Sequence, residues 1–121
     1  GPADRAVIVQ ALQGSKVVAK MKASEIDELM DSFRKVSVRR GEVLLREGDL
    51  VEDTDPGMYV TQEGLLDIYV AAAGDEGAFG KKVVQYSGGG QLIGELAVLF
   101  EAPRAATVVA ATDCQLWAVD R

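Results

Sequence analysis

The stretch from Gly94 to Thr107 reads GELAVLFEAPRAAT and combines residue types that suit a ligand made of a sugar and a phosphate. Gly94 has no Cβ, so its backbone can approach a ligand closely. Glu95 offers a carboxylate that can accept hydrogen bonds from sugar hydroxyl groups. Arg104 has the side chain best suited to bidentate contact with a phosphate. The stretch therefore predicts a binding site rather than a plain structural segment.

The same stretch predicts a short helix that ends just before the arginine. Glu95–Phe100 is long enough for one or two helical turns, and a helix N-terminus presents backbone N–H groups to anions. Pro103 cannot continue this helix. Ala105 and Ala106 have small side chains, which keep the backbone next to Arg104 accessible to a ligand.

Composition excludes several classes of function. The chain has 121 residues, enough for one domain with a single core. Its 13 basic and 19 acidic residues give a net charge of −6, which argues against a nucleic-acid surface but allows one small anion to bind. No apolar stretch reaches the roughly 20 residues of a membrane span, so the sequence predicts no membrane partner and favours the cytoplasm.

Residue types needed for catalysis and metal binding are scarce. The chain has no histidine, which removes the usual general base and the commonest metal ligand. Cys114 is the only cysteine and lies in an apolar run, so we expect a core residue rather than a nucleophile. The acidic run Leu50–Gly57 is typical of a solvated loop more than of a metal site. We therefore predict no catalytic residue and no metal.

Helices are predicted before residue 34. Gly1-Pro2 resembles the remnant left by cleavage of a purification tag and is excluded from the fold prediction. Residues 3–33 are predicted to form a helical segment, with a first apolar face of Val9 and Leu12, to which Ala11 is a further candidate, and a break at Gly14-Ser15. Ser24 is the expected N-cap of a second helix, with Glu25 in its first turn. That helix carries an apolar stripe with i, i+3, i+4, i+7 spacing, namely Ile26, Leu29, Met30 and Phe33.

Short strands separated by glycine turns are predicted over residues 34–121. Alternating or apolar runs predict strands at Val36–Val38, Val43–Leu45, Met58–Thr61, Leu65–Ala72, Lys82–Tyr86, Thr107–Ala111 and Cys114–Val119. The runs Met58–Thr61 and Leu65–Ala72 are separated by a short segment around Glu63-Gly64, which predicts a hairpin between them. Gly-rich segments between the runs predict loops. Together these features favour a β-sandwich or a β-barrel.

The stretch Gly94–Thr107 resembles the phosphate-binding cassette of cyclic-nucleotide-binding domains, and is most similar to the cassettes of cAMP- and cGMP-dependent protein kinases. The flanking runs Arg46–Asp49, Met58–Val60, Gln62–Val70 and Leu116–Arg121 resemble the strands around that cassette, so the likeness extends from about Val7 to Arg121. It implies an α+β fold: an eight-stranded jelly-roll barrel with N-terminal helices and a short cassette helix. In the family, hinge and lid helices follow the point where this chain stops.

The resemblance implies a role for each residue of the cassette. Arg104 would hold the cyclic phosphate, helped by backbone N–H groups of Ala97, Ala105 or Ala106. Glu95 would accept from the ribose 2′-hydroxyl, and the Gly94 backbone would lie against the ribose. Leu96 would contact a hinge helix and relay the signal. Asp55 or Asp53 would support the arginine from behind, and Ile93 takes the place of the family's usual phenylalanine.

The resemblance also implies which nucleotide and which partner to expect. In cGMP-selective members a Thr or Ser often follows the arginine and bonds the guanine 2-amino group, whereas here Ala105 offers no acceptor. This favours cAMP and leaves cGMP open, since the strand around Tyr86 also touches the base in the family. The expected partner is a protein kinase catalytic domain, in cis or in trans.

Other classes of protein remain as alternatives. The parent protein could be a cGMP-dependent kinase, a cyclic-nucleotide-gated channel or a transcription factor. A degenerate, non-binding interaction domain is disfavoured because Glu95 and Arg104 are both present. An enzyme of the cupin type would need histidine ligands, which the chain lacks.

Overall fold

A computed structural model describes residues 2–13, 18–51, 57–71, 79–95, 97 and 102–119. The described ranges hold two antiparallel sheets of four strands each, preceded by two α-helices and a 3-10 turn. The helices are α1 (Pro2–Gln13) and α2 (Ala23–Asp31), with the 3-10 turn at Val18–Lys20 between them. The strands are β1 (Arg34–Val38), β2 (Val43–Leu45), β3 (Met58–Glu63), β4 (Leu65–Val70), β5 (Lys81–Ser87), β6 (Leu92–Ile93), β7 (Thr107–Ala110) and β8 (Cys114–Val119).

The two sheets are open at their edges. The first has the strand order β1-β8-β3-β6 and the second has the order β2-β7-β4-β5. No strand pairs across from one sheet to the other within the described residues. The described part of the chain is therefore a β-sandwich with helices, which is one of the two architectures that the sequence favoured and is consistent with the two-sheet form of a jelly roll.

The main core lies between the two sheets. Side chains alternate along a strand, so every second residue of each sheet faces the other sheet. Leu66 and Val108 of the second sheet meet Leu116 and Ala118 of the first in one buried cluster. Cys114 belongs to this cluster and is 2% exposed, which confirms its prediction as a core residue.

A second apolar cluster joins the helices to the outer face of the first sheet. Tyr59 and Val60 are neighbours on β3 and point to opposite faces, so Tyr59 joins the core between the sheets while Val60 faces the helices. All four residues of the predicted apolar stripe belong to this second cluster: Ile26, Leu29 and Met30 on α2, and Phe33 just after the helix ends at Asp31. From α1 the cluster receives Ile8, Ala11 and Leu12.

The start of α2 differs from the prediction. The helix begins at Ala23 with Lys22 in the N-cap position, so Ser24 lies inside the helix and the predicted N-cap is wrong. The Glu25 carboxylate accepts a hydrogen bond from the Lys22 backbone N–H at 2.9 Å. This bond satisfies the N–H of the N-cap residue itself, whereas a serine N-cap would have accepted from the N–H of the second or third helical residue.

The predicted hairpin about Glu63-Gly64 is also wrong. Strands β3 and β4 follow each other along the chain but belong to different sheets, and β4 pairs with β5 and β7 instead. The chain crosses from one sheet to the other at Gly64, which has a φ of 104°. A Cβ at Gly64 would lie 2.6 Å from both the Asp113 carbonyl oxygen and the Cys114 Sγ atom. Only glycine satisfies both the backbone angle and the space at this crossing.

Some sequence predictions lie outside the described residues or were incomplete. The break at Gly14-Ser15 and most of the acidic loop after Val51 lie outside the described ranges. The short strand β6 was not predicted, because two residues are too few to show alternation. It nevertheless matters for the site, since Ile93 pairs with Tyr59 and leads directly into Gly94.

We expect Gly64→Ala to destabilise the protein by about 2–5 kcal/mol, from left-handed backbone strain of ~1–2 kcal/mol and overpacking of ~1–3 kcal/mol. Gly41→Ala is the matched control, because Gly41 has a φ of 89° but no atom within 4 Å of its added Cβ. The control should lose only the strain, about 1–2 kcal/mol. Urea unfolding of both variants measures the difference, and equal losses would mean that the crossing is not crowded.

Candidate functional site

A cavity of about 460 Å³ opens between the second sheet and the stretch that follows β6. This volume lies within the range of ordinary small-molecule sites. The residues that line it are Leu45, Ile68, Tyr86, Leu92, Ile93, Gly94, Glu95, Ala97, Ala102, Pro103, Arg104, Ala105, Ala106 and Val108. Glu95 and Arg104 are the charged side chains in this lining, so the described residues place one carboxyl group and one guanidinium in a mostly apolar cavity.

One wall of the cavity is the inner face of the second sheet. Strand pairing places Val108 of β7 next to both Leu45 of β2 and Ile68 of β4, so these three side chains share one face. Tyr86 extends the wall from β5, where it pairs with Leu66. Sequence reasoning did not assign Leu45, Ile68 and Val108 to the site, because their convergence depends on strand register between distant parts of the chain.

Arg104 makes at least three hydrogen bonds to other described residues. Its backbone N–H donates to the Asp49 carbonyl at 2.8 Å, and its own carbonyl accepts from the Gly48 N–H at 2.8 Å. Its side-chain Nη1 donates to the Gly94 carbonyl at 3.0 Å. The residue is only 3% exposed, although it lines the cavity. These contacts fix both the backbone and the guanidinium of Arg104 at the cavity wall.

Burial also affects the electrostatics of Arg104. Loss of solvent lowers the pKa of its guanidinium from the ordinary value, while Tyr59 and the negative charge of Asp49 oppose that shift. An arginine starts from so high a pKa that it keeps its charge at neutral pH. A buried cation is costly unless opposite charge or hydrogen bonds compensate it, so the cavity favours an anion beside this side chain.

Gly94 is required by the space around Arg104. It has a φ of 84°, and a Cβ at this position would lie 2.6 Å from Arg104 Nη1 and 3.1 Å from the Gly57 carbonyl oxygen. A side chain here would displace the guanidinium that Gly94 holds through its carbonyl. The Gly94 backbone therefore lies close to the Arg104 guanidinium, and its close approach to a ligand stays a prediction.

Glu95 lines the cavity and has one buried carboxylate oxygen. Its Oε2 atom is buried and has no hydrogen-bond partner among the described residues. An unsatisfied buried carboxylate oxygen costs free energy, because it has lost water and gained nothing in return. A hydroxyl group of a ligand in the cavity would remove that cost.

The remaining predicted site residues divide into two groups. Ala97, Ala105 and Ala106 line the cavity, and Ala97 is 6% exposed. Leu96, Asp53 and Asp55 lie outside the described residues, as does most of the predicted cassette helix. Ile93 is 5% exposed in the main core, as expected of an apolar residue there.

Comparison with known proteins identifies the family. The family model for the cyclic nucleotide-binding domain matches residues 35–121. The chain is 34% identical over 117 residues to the cAMP-dependent protein kinase regulatory subunit of Blastocladiella emersonii, covering 97% of this chain and 27% of that protein. It is 32% identical over 117 residues to the type II regulatory subunit of Drosophila melanogaster, covering 97% of this chain and 28% of that protein.

A solved structure agrees with these relatives. The structure of cAMP-bound PfPKA-R superposes with a TM-score of 0.77 at 29% identity, covering 99% of this chain and 40% of that chain. The chain belongs to the cyclic nucleotide-binding domain family. Within it, the chain is related to regulatory subunits of cAMP-dependent protein kinases, which confirms the resemblance seen in the sequence.

Two negative findings concern the described residues alone. No group of three or more Cys, Asp or Glu side chains in the described ranges could hold a metal ion. Among the same ranges, no helix is long and apolar enough to cross a membrane.

Proposed function

We propose that this domain binds a cyclic nucleotide, with cAMP preferred over cGMP, and relays that binding to a protein kinase. The observation that carries the proposal is the pairing of two buried groups in one cavity. Arg104 presents a buried cation, and Glu95 presents a buried acceptor without a partner among the described residues. A cyclic nucleotide has one phosphate charge and one ribose 2′-hydroxyl, and these two groups match that pair.

The phosphate would lie against Arg104. A guanidinium has five N–H donors in a planar fork, so it can hold the Gly94 carbonyl and a phosphate oxygen together. Backbone N–H groups of Ala97, Ala105 and Ala106 would complete the contacts to the phosphate, since these residues line the same cavity. Burial strengthens each of these contacts, because the local dielectric is low.

The ribose would lie against Glu95 and Gly94. A carboxylate beside a phosphate would repel it, so Glu95 must bond the sugar, with Arg104 between the two negative charges. The 2′-hydroxyl can donate to Glu95 Oε2 and thereby satisfy that buried atom. The same carboxylate would disfavour a ligand with a second anionic group at this position, which is a reason to expect a cyclic monophosphate.

The base would lie along the apolar wall formed by Leu45, Ile68 and Val108. A flat heteroaromatic ring gains from leaving water, and this wall offers it an apolar surface. Ala105 is exposed and lines the cavity. Its methyl group cannot accept a hydrogen bond from the guanine 2-amino group, so the site gives guanine no advantage over adenine at that position.

The output of binding would pass through the cassette. Leu96 would contact a hinge helix, and movement of the cassette on capture of the phosphate would shift an equilibrium between two states. The kinase catalytic domain would lie in the same chain or in a partner, and the cytoplasm would be its compartment. The relatives named as regulatory subunits support this relay, although this chain spans 27% and 28% of their lengths. Residues 34–121 would form the family's jelly-roll domain and residues 3–33 its helical segment.

Arg104→Ala should lower cAMP affinity by at least about 100-fold, because two charge-assisted hydrogen bonds contribute ~1.5–3 kcal/mol each. Arg39→Ala is the matched control, since it removes the same charge from an exposed residue that does not line the cavity. Isothermal titration calorimetry measures both, with a thermal melt to verify folding. Binding by Arg104→Ala within threefold of the wild type would refute the proposed site.

Glu95→Gln should weaken cAMP at least about threefold more than it weakens 2′-deoxy-cAMP, because a charged acceptor exceeds a neutral one by roughly 1 kcal/mol. The 2′-deoxy analogue lacks the hydroxyl but keeps the phosphate. Any change in repulsion between residue 95 and the phosphate therefore cancels in the comparison. Equal losses for the two ligands would mean that Glu95 does not accept from the ribose.

Ala105→Thr should raise cGMP affinity relative to cAMP by a factor of roughly two to twelve, the value of one neutral hydrogen bond. The new hydroxyl can accept from the guanine 2-amino group, and adenine has no such group. Ala105→Val has nearly the same shape without the hydroxyl and should leave the ratio unchanged. Competition titrations with both nucleotides measure the ratio, and a ratio that is the same in Thr and Val variants would remove the argument for cAMP preference.

A further inference from the structure

The turn Arg46–Asp49 is bonded to the Arg104 backbone and is not part of the cavity lining. Its own geometry is a tight turn, with the Asp49 N–H donating to the Arg46 carbonyl at 3.2 Å and Gly48 at a φ of 89°. Two of its residues exchange backbone hydrogen bonds with Arg104, the Gly48 N–H donating to the Arg104 carbonyl and the Arg104 N–H to the Asp49 carbonyl, each at 2.8 Å. The position of the Arg104 backbone therefore depends on where this turn lies.

Thr107 holds the turn Arg46–Asp49 in place through a hydrogen bond. The Glu47 N–H donates to the Thr107 hydroxyl oxygen at 3.0 Å. Thr107 is 5% exposed and is the first residue of β7, so its hydroxyl is fixed to the central part of the second sheet. The residue closes the stretch that begins at Gly94, but it does not line the cavity.

We propose that Thr107 is a positioning residue for anion capture, acting on Arg104 through the turn Arg46–Asp49. This inference rests on the proposed function and adds a residue that does not touch the ligand. The hydroxyl fixes Glu47, the next two residues fix the Arg104 backbone, and the Gly94 carbonyl fixes the guanidinium. Loss of the hydroxyl leaves the Glu47 N–H without its acceptor, and the turn can move with Arg104 attached.

Thr107→Val tests this, because it replaces the hydroxyl with a methyl group in a side chain of nearly the same shape. Thr107→Ser keeps the hydroxyl and should behave as the wild type. Thr112→Val is the matched control: the Thr112 hydroxyl accepts from the Leu65 N–H at the same 3.0 Å, in the turn after β7 and away from the cavity lining. Thr107→Ala removes the same hydroxyl and replaces Thr107→Val in every measurement if that variant does not fold.

The first measurement is amide hydrogen exchange by NMR without any ligand. In Thr107→Val, the Gly48 and Arg104 amides should exchange about two- to twelvefold faster, the effect of one neutral hydrogen bond, since their own hydrogen bonds open with the turn. Thr107→Ser and Thr112→Val should keep wild-type protection at these two amides. Unchanged protection of Arg104 in Thr107→Val would overturn the proposal, whatever the ligand does.

The second measurement is cAMP affinity by calorimetry. Thr107→Val should bind cAMP about two- to twelvefold more weakly, the effect of one neutral hydrogen bond, while Thr112→Val should stay within about twofold of the wild type. If the wild type binds and Thr107→Val binds equally well, this inference fails and the proposed function stands. A Thr112→Val loss as large as that of Thr107→Val would also overturn it, because general destabilisation would then explain both. If the wild type binds neither cAMP nor cGMP, the proposed function fails and this inference falls with it.

Discussion

The placement of a buried arginine is the constraint on which the site depends. Arg104 has a charged guanidinium at 3% exposure, and the fold compensates it with the Gly94 carbonyl and with the negative charge of Asp49. Because the Arg104 backbone is bonded to the turn Arg46–Asp49, segments that are far apart in the sequence must meet at one point. The sandwich supplies that meeting point, since the turn follows β2 and Arg104 precedes β7, and these two strands are paired.

Glycine and alanine in the cassette serve the same constraint. Gly94 leaves the space that Arg104 Nη1 occupies, and a Cβ there would come within 2.6 Å of it. Ala105 and Ala106 keep the cavity open beside the arginine. The small residues of the stretch therefore leave room for one large charged side chain and one ligand in the same confined volume.

Sequence reasoning predicted the parts of this molecule that are encoded locally. Strands β2 and β8 have the bounds that the apolar runs indicated, and the stripe of α2 faces the core as its spacing required. The crossing at Gly64 was not predicted. Two apolar runs that follow each other closely suggest a hairpin, and the sequence does not show that the two strands belong to different sheets. The cassette residues could be named from their types, whereas the apolar wall and the support of Arg104 by Gly48 and Asp49 depend on register and tertiary packing.

Neighbouring residues of β3 and β8 face different apolar clusters, and this decides what the fluorescence of the tryptophan can report. Trp117 is the chain's single tryptophan, and it lies on the outer face of the first sheet with the helices, across the strand pair from Val60. Its indole N–H donates to Gln62, and Lys35 Nζ lies 5.7 Å from the ring centre. The cavity borders the core between the sheets and does not include the indole. A change in tryptophan emission when nucleotide is added would thus report displacement of the helical layer against the sheet, and would serve as an intrinsic signal of how far binding is transmitted through the domain.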